Sequence, residues 1–176
     1  MLKLKAEQMG RLSIEEYSQI EKTPLVVVLD NIRSMHNIGA VFRTADAFRL
    51  EGIYLCGICC CPPNNEIHKT ALGAELTVDW RYFQKTKDAV NLLKNKGYTV
   101  LAVEQAEGSV KLQDLGIERD KKYALVLGHE VFGVQQEIVD LCDQCVEIPQ
   151  FGTKHSLNVS VAAGIVIYQV ATQLGI

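Results

Sequence analysis

The stretch DNIRSMHNIGAVFRTAD contains the first residues whose spacing could support chemistry. Asn37 begins a segment with helical spacing and is expected to cap it, and Arg43 follows on the same helix. Helical side chains lean back toward the N-terminus, so Arg43 lies over the small residues Gly39 and Ala40. Its guanidinium then points to the helix start, where backbone N–H groups favour anions. This predicts a phosphate or ribose site; the alternative is a surface arginine paired with Asp46 or another acid.

A second candidate stretch, ALVLGHEVFGV, begins as an apolar strand and ends in Gly128, His129, Glu130 and Gly133. Glycines at such a loop let the backbone approach a ligand closely. The pattern G-H-E-x-x-G also resembles a segment of zinc-dependent medium-chain alcohol dehydrogenases, in which the histidine is a metal ligand. The chain is short for that two-domain fold and has no G-x-G-x-x-G after a strand. A zinc or NAD oxidoreductase is therefore the weaker hypothesis, and His129 is expected to be a partly buried loop histidine with a hydrogen bond.

The third candidate stretch, KHSLNVSVAAGIVIYQV, starts with polar residues and continues as a buried helix. Ser156 is a suitable helix cap, because its hydroxyl can accept a backbone N–H two or three residues on. Asn158 would be a polar residue of the first turn. Ser160, Ala163 and Gly164 form a narrow stripe that lets another backbone pack closely. Taken alone, this stretch indicates a capped core helix.

The elements around these stretches alternate between strand and helix. Short, β-branched apolar runs predict buried strands at 24–30, 52–58, 98–104, 123–128 and 145–149. Helical spacing predicts helices at 1–22, 37–50, 85–97, 135–144 and 156–174, and the sequence PPNN at 62–65 predicts a loop. This alternation is typical of an α/β fold with a parallel sheet and helices on both faces. Ligands bind such sheets at the carboxyl ends of the strands, which places loops 30–37, 128–134 and 149–156 together.

Composition indicates one ordinary domain. The chain has 176 residues, of which 48% are hydrophobic and 22% charged, with a net charge of −3. We expect a single domain over 1–176, with 1–22 as a helical extension. A dedicated nucleic-acid binder is often strongly basic, although an enzyme that touches RNA locally needs only a local field. No apolar run approaches the roughly 20 residues of a membrane span, and no signal peptide is recognised, which predicts a cytoplasmic protein.

The cysteines are clustered in a way that raises the question of a metal. Cys56 and Cys59 form a C-x-x-C within the sequence CGICCC. No second C-x-x-C or histidine pair follows at a zinc-like spacing, so no metal site is expected. The six thiols are expected to be reduced and to pack as small apolar groups; they are Cys56, Cys59, Cys60, Cys61, Cys142 and Cys145.

In order and spacing, the three candidate stretches resemble the three motifs of the SpoU family of RNA ribose 2′-O-methyltransferases. This family is also called TrmH-like and belongs to the SPOUT superfamily. The resemblance covers roughly residues 24–172 and includes PPNNEIHKTALGAE in the middle of the chain. One departure is His129, where the family often has asparagine. The matching motif residues are Asn37 and Arg43 in the first motif, Gly128, Glu130 and Gly133 in the second, and Ser156, Leu157 and Asn158 in the third.

The resemblance implies a parallel α/β sheet whose C-terminal part is threaded into a deep trefoil knot, a rare topology. It also implies a homodimer with the site near the subunit interface, and an enzyme that uses S-adenosylmethionine to methylate a ribose 2′-OH of tRNA or rRNA. The implied cofactor contacts are Val103, Gly128, Gly133, Ile148 and Leu157. The implied catalytic residues are Arg43, Asn37, Glu130, Ser156 and Asn158.

The chemistry constrains the roles of two of these residues. Family proposals make the arginine the base for the hydroxyl, yet arginine keeps its proton in nearly all protein settings. We expect Arg43 instead to position phosphate and to stabilise the forming alkoxide. Glu130 is expected to anchor a loop or pair with an arginine, because a carboxylate with a pKa of about 4.3 is a weak base. Asn158 is expected to orient Arg43 or the substrate.

A catalytically inactive RNA-binding protein of the same fold is the main alternative. Retention of the polar motif residues argues against it. The sequence does not specify which RNA is bound. No extra N-terminal RNA-binding domain is expected, so recognition would involve the dimer surface and the N-terminal helix. Lys3, Lys5 and Arg11 are candidates there, unless they simply form a solvated helix face.

Overall fold

Seven parallel strands form one sheet at the centre of the molecule. The computed structural model describes residues 1–5, 8 and 10–176. The strands are β1 (Thr23–Asp30), β2 (Leu50–Cys56), β3 (Trp80–Phe83), β4 (Tyr98–Val103), β5 (Val110–Lys111), β6 (Lys122–Leu127) and β7 (Gln144–Glu147). Their order in the sheet is β3-β2-β1-β6-β4-β7-β5, and every described pairing is parallel. The predicted parallel α/β sheet is therefore confirmed.

Helices cover both faces of this sheet. They are α1 (Ile14–Gln19), α2 (Met35–Ala47), α3 (Asn65–Ala71), α4 (Thr86–Asn95), α5 (Gln136–Val139) and α6 (Val159–Leu174). Residues of α2, α3 and α6 share one hydrophobic core, and residues of α4 and α5 share the other. Successive strand residues point to opposite faces, so Val27 of β1 contributes to the first core and Val28 to the second. Burial on both faces explains why β1 is a continuous apolar run. None of the described helices is long and apolar enough to cross a membrane.

Two predicted helix caps are wrong. The N-cap of α2 is Ser34, whose Oγ accepts the N–H of Asn37 at 3.3 Å. Asn37 lies inside the first turn and its side chain is therefore available for other contacts. The N-cap of α6 is Asn158 and not Ser156, because the Asn158 Oδ1 accepts the N–H of Ser160 at 2.9 Å.

The predicted N-terminal helix over 1–22 is largely absent from the described residues. Among the described residues of this range, α-helix occurs only in α1, which Ser13 and Glu16 begin with a reciprocal capping box. Gly10 precedes it with a φ of 57°, a left-handed conformation that a continuing helix cannot contain. Lys3 and Lys5 lie in irregular, exposed chain. Residues 6, 7 and 9 of this prediction lie outside the described residues.

Several short elements were not predicted. The PPNN sequence was assigned to a loop, yet its last asparagine begins α3, which Asn64 caps by accepting the N–H groups of Glu66 and Ile67. Strand β3 lies at the sheet edge, where its partial exposure removes the continuous apolar pattern. Helix α5 is shorter than predicted, because the chain turns back to the sheet and the Asp143 carboxylate accepts the N–H of Val100 at 2.8 Å.

At Gly39, helix α2 packs so closely against α3 that there is no room for a side chain. A Cβ at Gly39 would lie 2.1 Å from Thr70 Oγ1 and 2.2 Å from the carbonyl oxygen of Ile67. The second contact is with backbone and cannot rotate away. We expect Gly39→Ala to destabilise the protein by about 1–3 kcal/mol through overpacking. Thermal unfolding should show this as a loss of roughly 2–4 °C per kcal/mol.

Gly116→Ala is the matched control for this prediction. Nothing lies within 4 Å of a Cβ at Gly116. Its unfolding temperature should stay close to that of the wild type. An equal effect of the two substitutions would contradict the role given to the α2–α3 contact.

Candidate active site

Glu130 joins the loop that follows β6 to the start of α2. Its Oε2 accepts the backbone N–H of Arg33 at 3.1 Å. Its Oε1 accepts the backbone N–H of Ser34 at 2.9 Å and the Asn37 side-chain amide at 3.0 Å. Partial burial raises the pKa of the Glu130 carboxyl, but these hydrogen bonds outweigh it, and the pKa is lowered overall. Glu130 is therefore an ionised anchor for the loop, and its lowered pKa makes it a weaker base.

Asn37 connects this anchor to the third motif. The Asn158 Nδ2 donates to Asn37 Oδ1 at 3.1 Å, a contact between residues 121 positions apart. Asn158 also caps α6 with its Oδ1, which accepts from Ser160 and from Val161. One continuous hydrogen-bond chain therefore links the three motifs through Glu130, Asn37 and Asn158. The structure gives Asn158 no hydrogen bond to Arg43, in contrast to one of the two roles expected from the sequence.

Arg43 and Ser156 lie outside this chain of hydrogen bonds. Arg43 is exposed, and within the described residues no hydrogen bond or ion pair to it is found. The alternative pairing with Asp46 does not form; the Asp46 carboxylate accepts the Thr77 hydroxyl at 2.7 Å. Ser156 is exposed at the edge of a neighbouring cleft. Arg43 is thus a cation available to a ligand at the surface.

The loops after β4, β6 and β7 enclose a cleft of about 470 Å³. Its size falls within the roughly 300–1,000 Å³ of small-molecule sites. All five residues predicted to contact the cofactor line it, together with Glu130 and Ser156 from the predicted catalytic set. Apolar side chains such as Leu127, Ile148 and Leu157 could enclose an adenine ring, while loop backbone groups could bind its polar edge. The five predicted cofactor contacts are Val103, Gly128, Gly133, Ile148 and Leu157.

Glycines make the wall of this cleft possible. A Cβ at Gly128 would lie 2.0 Å from the carbonyl carbon of Gly133. Gly133 has a φ of 67°, and a Cβ there would lie 2.1 Å from Glu104 Oε2. Backbone hydrogen bonds between His129 and Gly133, at 3.0 and 2.8 Å, close the loop on itself.

The prediction for His129 is confirmed, since it is half-buried and its Nδ1 accepts the N–H of Val131 at 3.0 Å.

Two residues that the sequence reasoning missed hold the walls of the cleft. Glu104 Oε2 accepts the N–H of Val134 at 3.0 Å, which fixes the loop after β6. Gln105 Nε2 donates to the carbonyl of His155 at 3.0 Å, which fixes the loop after β7. Both residues directly follow β4 and line the cleft. Their position at the carboxyl end of a parallel strand was the signal that could have identified them.

Buried groups behind the first motif were also missed. Cys59 Sγ accepts the N–H of Ile32 at 3.1 Å and donates to the carbonyl of Leu29 at 3.3 Å. Burial raises the pKa of the Cys59 thiol to about 12, so the thiol stays protonated. Asp30 is fully buried and accepts the Thr86 hydroxyl and the N–H of Gln135. The Cys59 thiol is therefore buried as expected, and it also supports the loop after β1, whose Arg33 and Ser34 N–H groups donate to Glu130. The described residues contain no group of three or more histidine, cysteine, aspartate or glutamate side chains that could hold a metal ion.

Comparison with known proteins identifies the arrangement. Residues 24–168 match the model of the SpoU rRNA Methylase family. The chain belongs to this family. The match spans all three motifs of the SpoU methylase family, and it includes the residues of the Glu130–Asn37–Asn158 hydrogen-bond chain.

Individual RNA methyltransferases are similar to this chain in sequence and fold. A tRNA (guanosine(18)-2'-O)-methyltransferase of Aquifex aeolicus is 31% identical over 166 residues, which are 91% of this chain and 74% of the relative. The crystal structure of the A. aeolicus TrmH/SpoU tRNA modifying enzyme superposes with a TM-score of 0.80 at 29% identity, covering 91% of this chain and 80% of that one. An AdoMet-bound rRNA methyltransferase from Sinorhizobium meliloti also gives 0.80, at 28% identity, covering 93% of this chain and 62% of that one.

We expect Glu130→Gln to destabilise the protein at neutral pH by about 1–3 kcal/mol, because a neutral amide replaces a carboxylate that accepts three hydrogen bonds. The pKa of Glu130 is lower in the folded state than its unfolded value of about 4.3, so the ionised carboxylate stabilises the fold at pH values above about 4.3. This stabilisation is lost as the pH falls through the folded-state pKa. The difference in unfolding temperature between wild type and variant should therefore be largest near pH 7 and shrink on acidification below about 4.3.

The control is Glu107→Gln, which changes an exposed carboxylate in the loop after β4. It should unfold like the wild type at each pH. A difference for Glu130→Gln that does not depend on pH would show that the carboxylate charge is not what anchors the loop.

Proposed function

We propose that this protein transfers a methyl group from S-adenosylmethionine to a ribose 2′-OH of tRNA or rRNA. The observation that carries the proposal is the glycine-walled cleft, which lies beside the hydrogen-bond chain of Glu130, Asn37 and Asn158. Family membership supports the reaction, and the named activity of the Aquifex relative supports tRNA as one acceptor class. The volume of the cleft, its apolar side chains and the close approach that glycine permits support this cofactor.

Bound S-adenosylmethionine supplies a methyl group on a sulfonium sulfur, which makes in-line placement the main task of the protein. The cleft residues Ile148 and Leu157 would hold the adenosine part and exclude water. Glu130 keeps the loop after β6 in place through Arg33 and Ser34. Asn37 and Asn158 fix the start of α2 relative to the start of α6, so that an acceptor ribose meets a rigid edge.

Arg43 is proposed to bind the phosphate beside the target ribose and to stabilise the alkoxide that forms as the hydroxyl loses its proton. Its exposure and its lack of a hydrogen bond or ion pair among the described residues support this role. Ser156 at the edge of the cleft would contact the ribose. Because arginine holds its proton, the cation acts by charge and geometry, while the hydroxyl proton passes to solvent.

We further propose that the C-terminal part forms the family's trefoil knot, that the chain acts as a single domain over 1–176, and that it forms a homodimer in the cytoplasm. An exposed apolar face of α6 supports the dimer. Val161, Ile165 and Tyr168 lie on it with exposed fractions of 50%, 39% and 58%. Gly164 lies between them with nothing within 4 Å of a Cβ position, so a second helix could approach closely. Ala163 of the predicted small-residue stripe faces the core instead.

Ligand-dependent unfolding tests the proposed activity directly. Any ligand that binds only the native state raises the unfolding temperature. S-adenosylhomocysteine should raise it, whereas NAD and zinc should not. Mapping 2′-O-methyl sites in total RNA, with and without the gene, should then identify the missing modification. Absence of any shift with S-adenosylhomocysteine would favour a non-catalytic RNA-binding protein.

Substitution of Arg43 separates clamping from base catalysis. Arg43→Ala should weaken RNA affinity about tenfold or more, because it removes a charge-assisted hydrogen bond to a phosphate. Arg43→Lys should retain part of that affinity. RNA affinity is measured by filter binding, and methyl transfer is measured across pH. Recovery of Arg43→Lys activity at high pH, or normal RNA binding with lost turnover in Arg43→Ala, would contradict the clamp.

The dimer proposal predicts that Ile165→Glu yields a monomer, because it places a charge in the middle of the apolar face of α6. Light scattering coupled to size-exclusion chromatography measures the mass. The control is Ile58→Glu, since Ile58 is also exposed, at 59%, but lies in the loop after β2. The wild type and the control should have the mass of two chains. A wild-type protein with the mass of one chain would contradict the proposed homodimer.

A further inference from the structure

The cleft carries an uneven set of charges. Among the described residues that line it, the acidic side chains are Glu104 and Glu130, and no lysine or arginine is present. This is unusual beside an RNA site, where a polyanion must approach. A cleft lined by carboxylates without cations favours a positively charged ligand, because low-dielectric walls concentrate the local field.

The two carboxylates differ in how far their hydrogen-bonding capacity is used. Glu130 accepts from three protein donors, which fix it to the first motif. Glu104 accepts from two donors, one on each oxygen: Gln105 N at 2.8 Å and Val134 N at 3.0 Å. An ionised carboxylate has about four acceptor positions. Glu104 therefore keeps acceptor capacity in the cleft while its position is fixed.

The position of Glu104 is also built into the cleft wall. Its Oε2 occupies the space that a side chain at Gly133 would need, and Gly133 is held in a left-handed conformation by the closed loop. Glu104 itself directly follows β4, and its backbone N–H donates to the carbonyl of Val146 at 3.1 Å. The carboxylate thus lies at a fixed place between the strand end and the loop after β6.

We propose that Glu104 is a specificity-determining residue that makes the cleft prefer the cationic cofactor over its neutral product. The inference rests on the proposed function. S-adenosylmethionine carries one positive charge more than S-adenosylhomocysteine, because loss of the methyl group turns the sulfonium into a thioether. The carboxylate of Glu104 attracts the charged ligand and loses that attraction once the charge is gone. The same site therefore captures the methyl donor and releases the spent product.

The experiment compares the dissociation constants of three ligands by calorimetry. These are S-adenosylmethionine, S-adenosylhomocysteine and sinefungin, an analogue with an amine in place of the sulfonium. The wild type should bind the two cationic ligands more tightly than S-adenosylhomocysteine. Glu104→Gln should reduce this preference about fivefold or more, as expected for a partly exposed charge contact of this kind, on top of any equal loss of affinity that the lost hydrogen bond to the loop causes for all three ligands. Added salt should reduce the wild-type preference and have little effect on the variant.

Two controls separate charge from loop geometry. Gln105→Ala removes the tether to His155 without changing charge, so it should weaken all three ligands by a similar factor. Glu107→Gln removes a carboxylate outside the cleft and should leave the preference unchanged. An equal loss of all three ligands in Glu104→Gln would overturn the inference and make Glu104 a loop tether or ribose contact. Failure of the wild type to bind any of the three ligands would overturn the proposed function as well.

Discussion

The site depends on one carboxylate that accepts hydrogen bonds from another loop. Loops at the carboxyl edge of a parallel sheet have backbone N–H groups without strand partners, and these need acceptors. Glu130 supplies one for the start of α2, and Asn37 extends the connection to α6. Without this acceptor, the N–H groups of Arg33 and Ser34 would need other partners, and the first and third motifs would lose their fixed relation. That connection fixes one side of the cleft, and Glu104 and Gln105 hold its other walls.

The same solution recurs elsewhere along this edge. Asp30 accepts from the first turn of α4 and from the loop after β6, while Glu104 accepts from that loop on its other side. Three acids at this edge, Asp30, Glu104 and Glu130, are therefore held in place by donors of the chain itself, whose net charge is −3. Arg43 has no hydrogen bond or ion pair within the described part of the chain, and in the proposed function it contacts the phosphate. Local arrangement of charge matters here more than the total.

The sheet could be predicted from sequence because its signal is local. Because β1 is buried on both faces, its sequence is a continuous apolar run. Each of the three motifs is a short, contiguous stretch of sequence. Helix starts were less predictable. Ser34 and Asn37 are both good caps, and only the path of the backbone decides between them. Edge strand β3 lacks an apolar pattern because one side of it faces solvent.

The contacts that complete the site could not be predicted, because they join distant residues. Asn158 meets Asn37 only after α2 and α6 have packed on the same face of the sheet. Glu104 was passed over although it directly follows Val103, which the sequence identified as a cleft residue. What distinguishes Glu104 is its fit against Gly133, a relation set by strand register and loop closure. Residue type suggests candidates, and tertiary packing selects among them.

The tether between Gln105 and His155 has a consequence for the order of events during synthesis. The cleft has three walls, and the last of them is supplied by residues near the end of the chain. A growing chain that has already paired β1 with β2 still lacks this wall of the cleft. Contacts of such long sequence separation form late, because loop closure must precede them. Under the proposed function, a chain that has not yet formed the contact between Gln105 and His155 lacks one wall of the cleft that would hold the methyl donor.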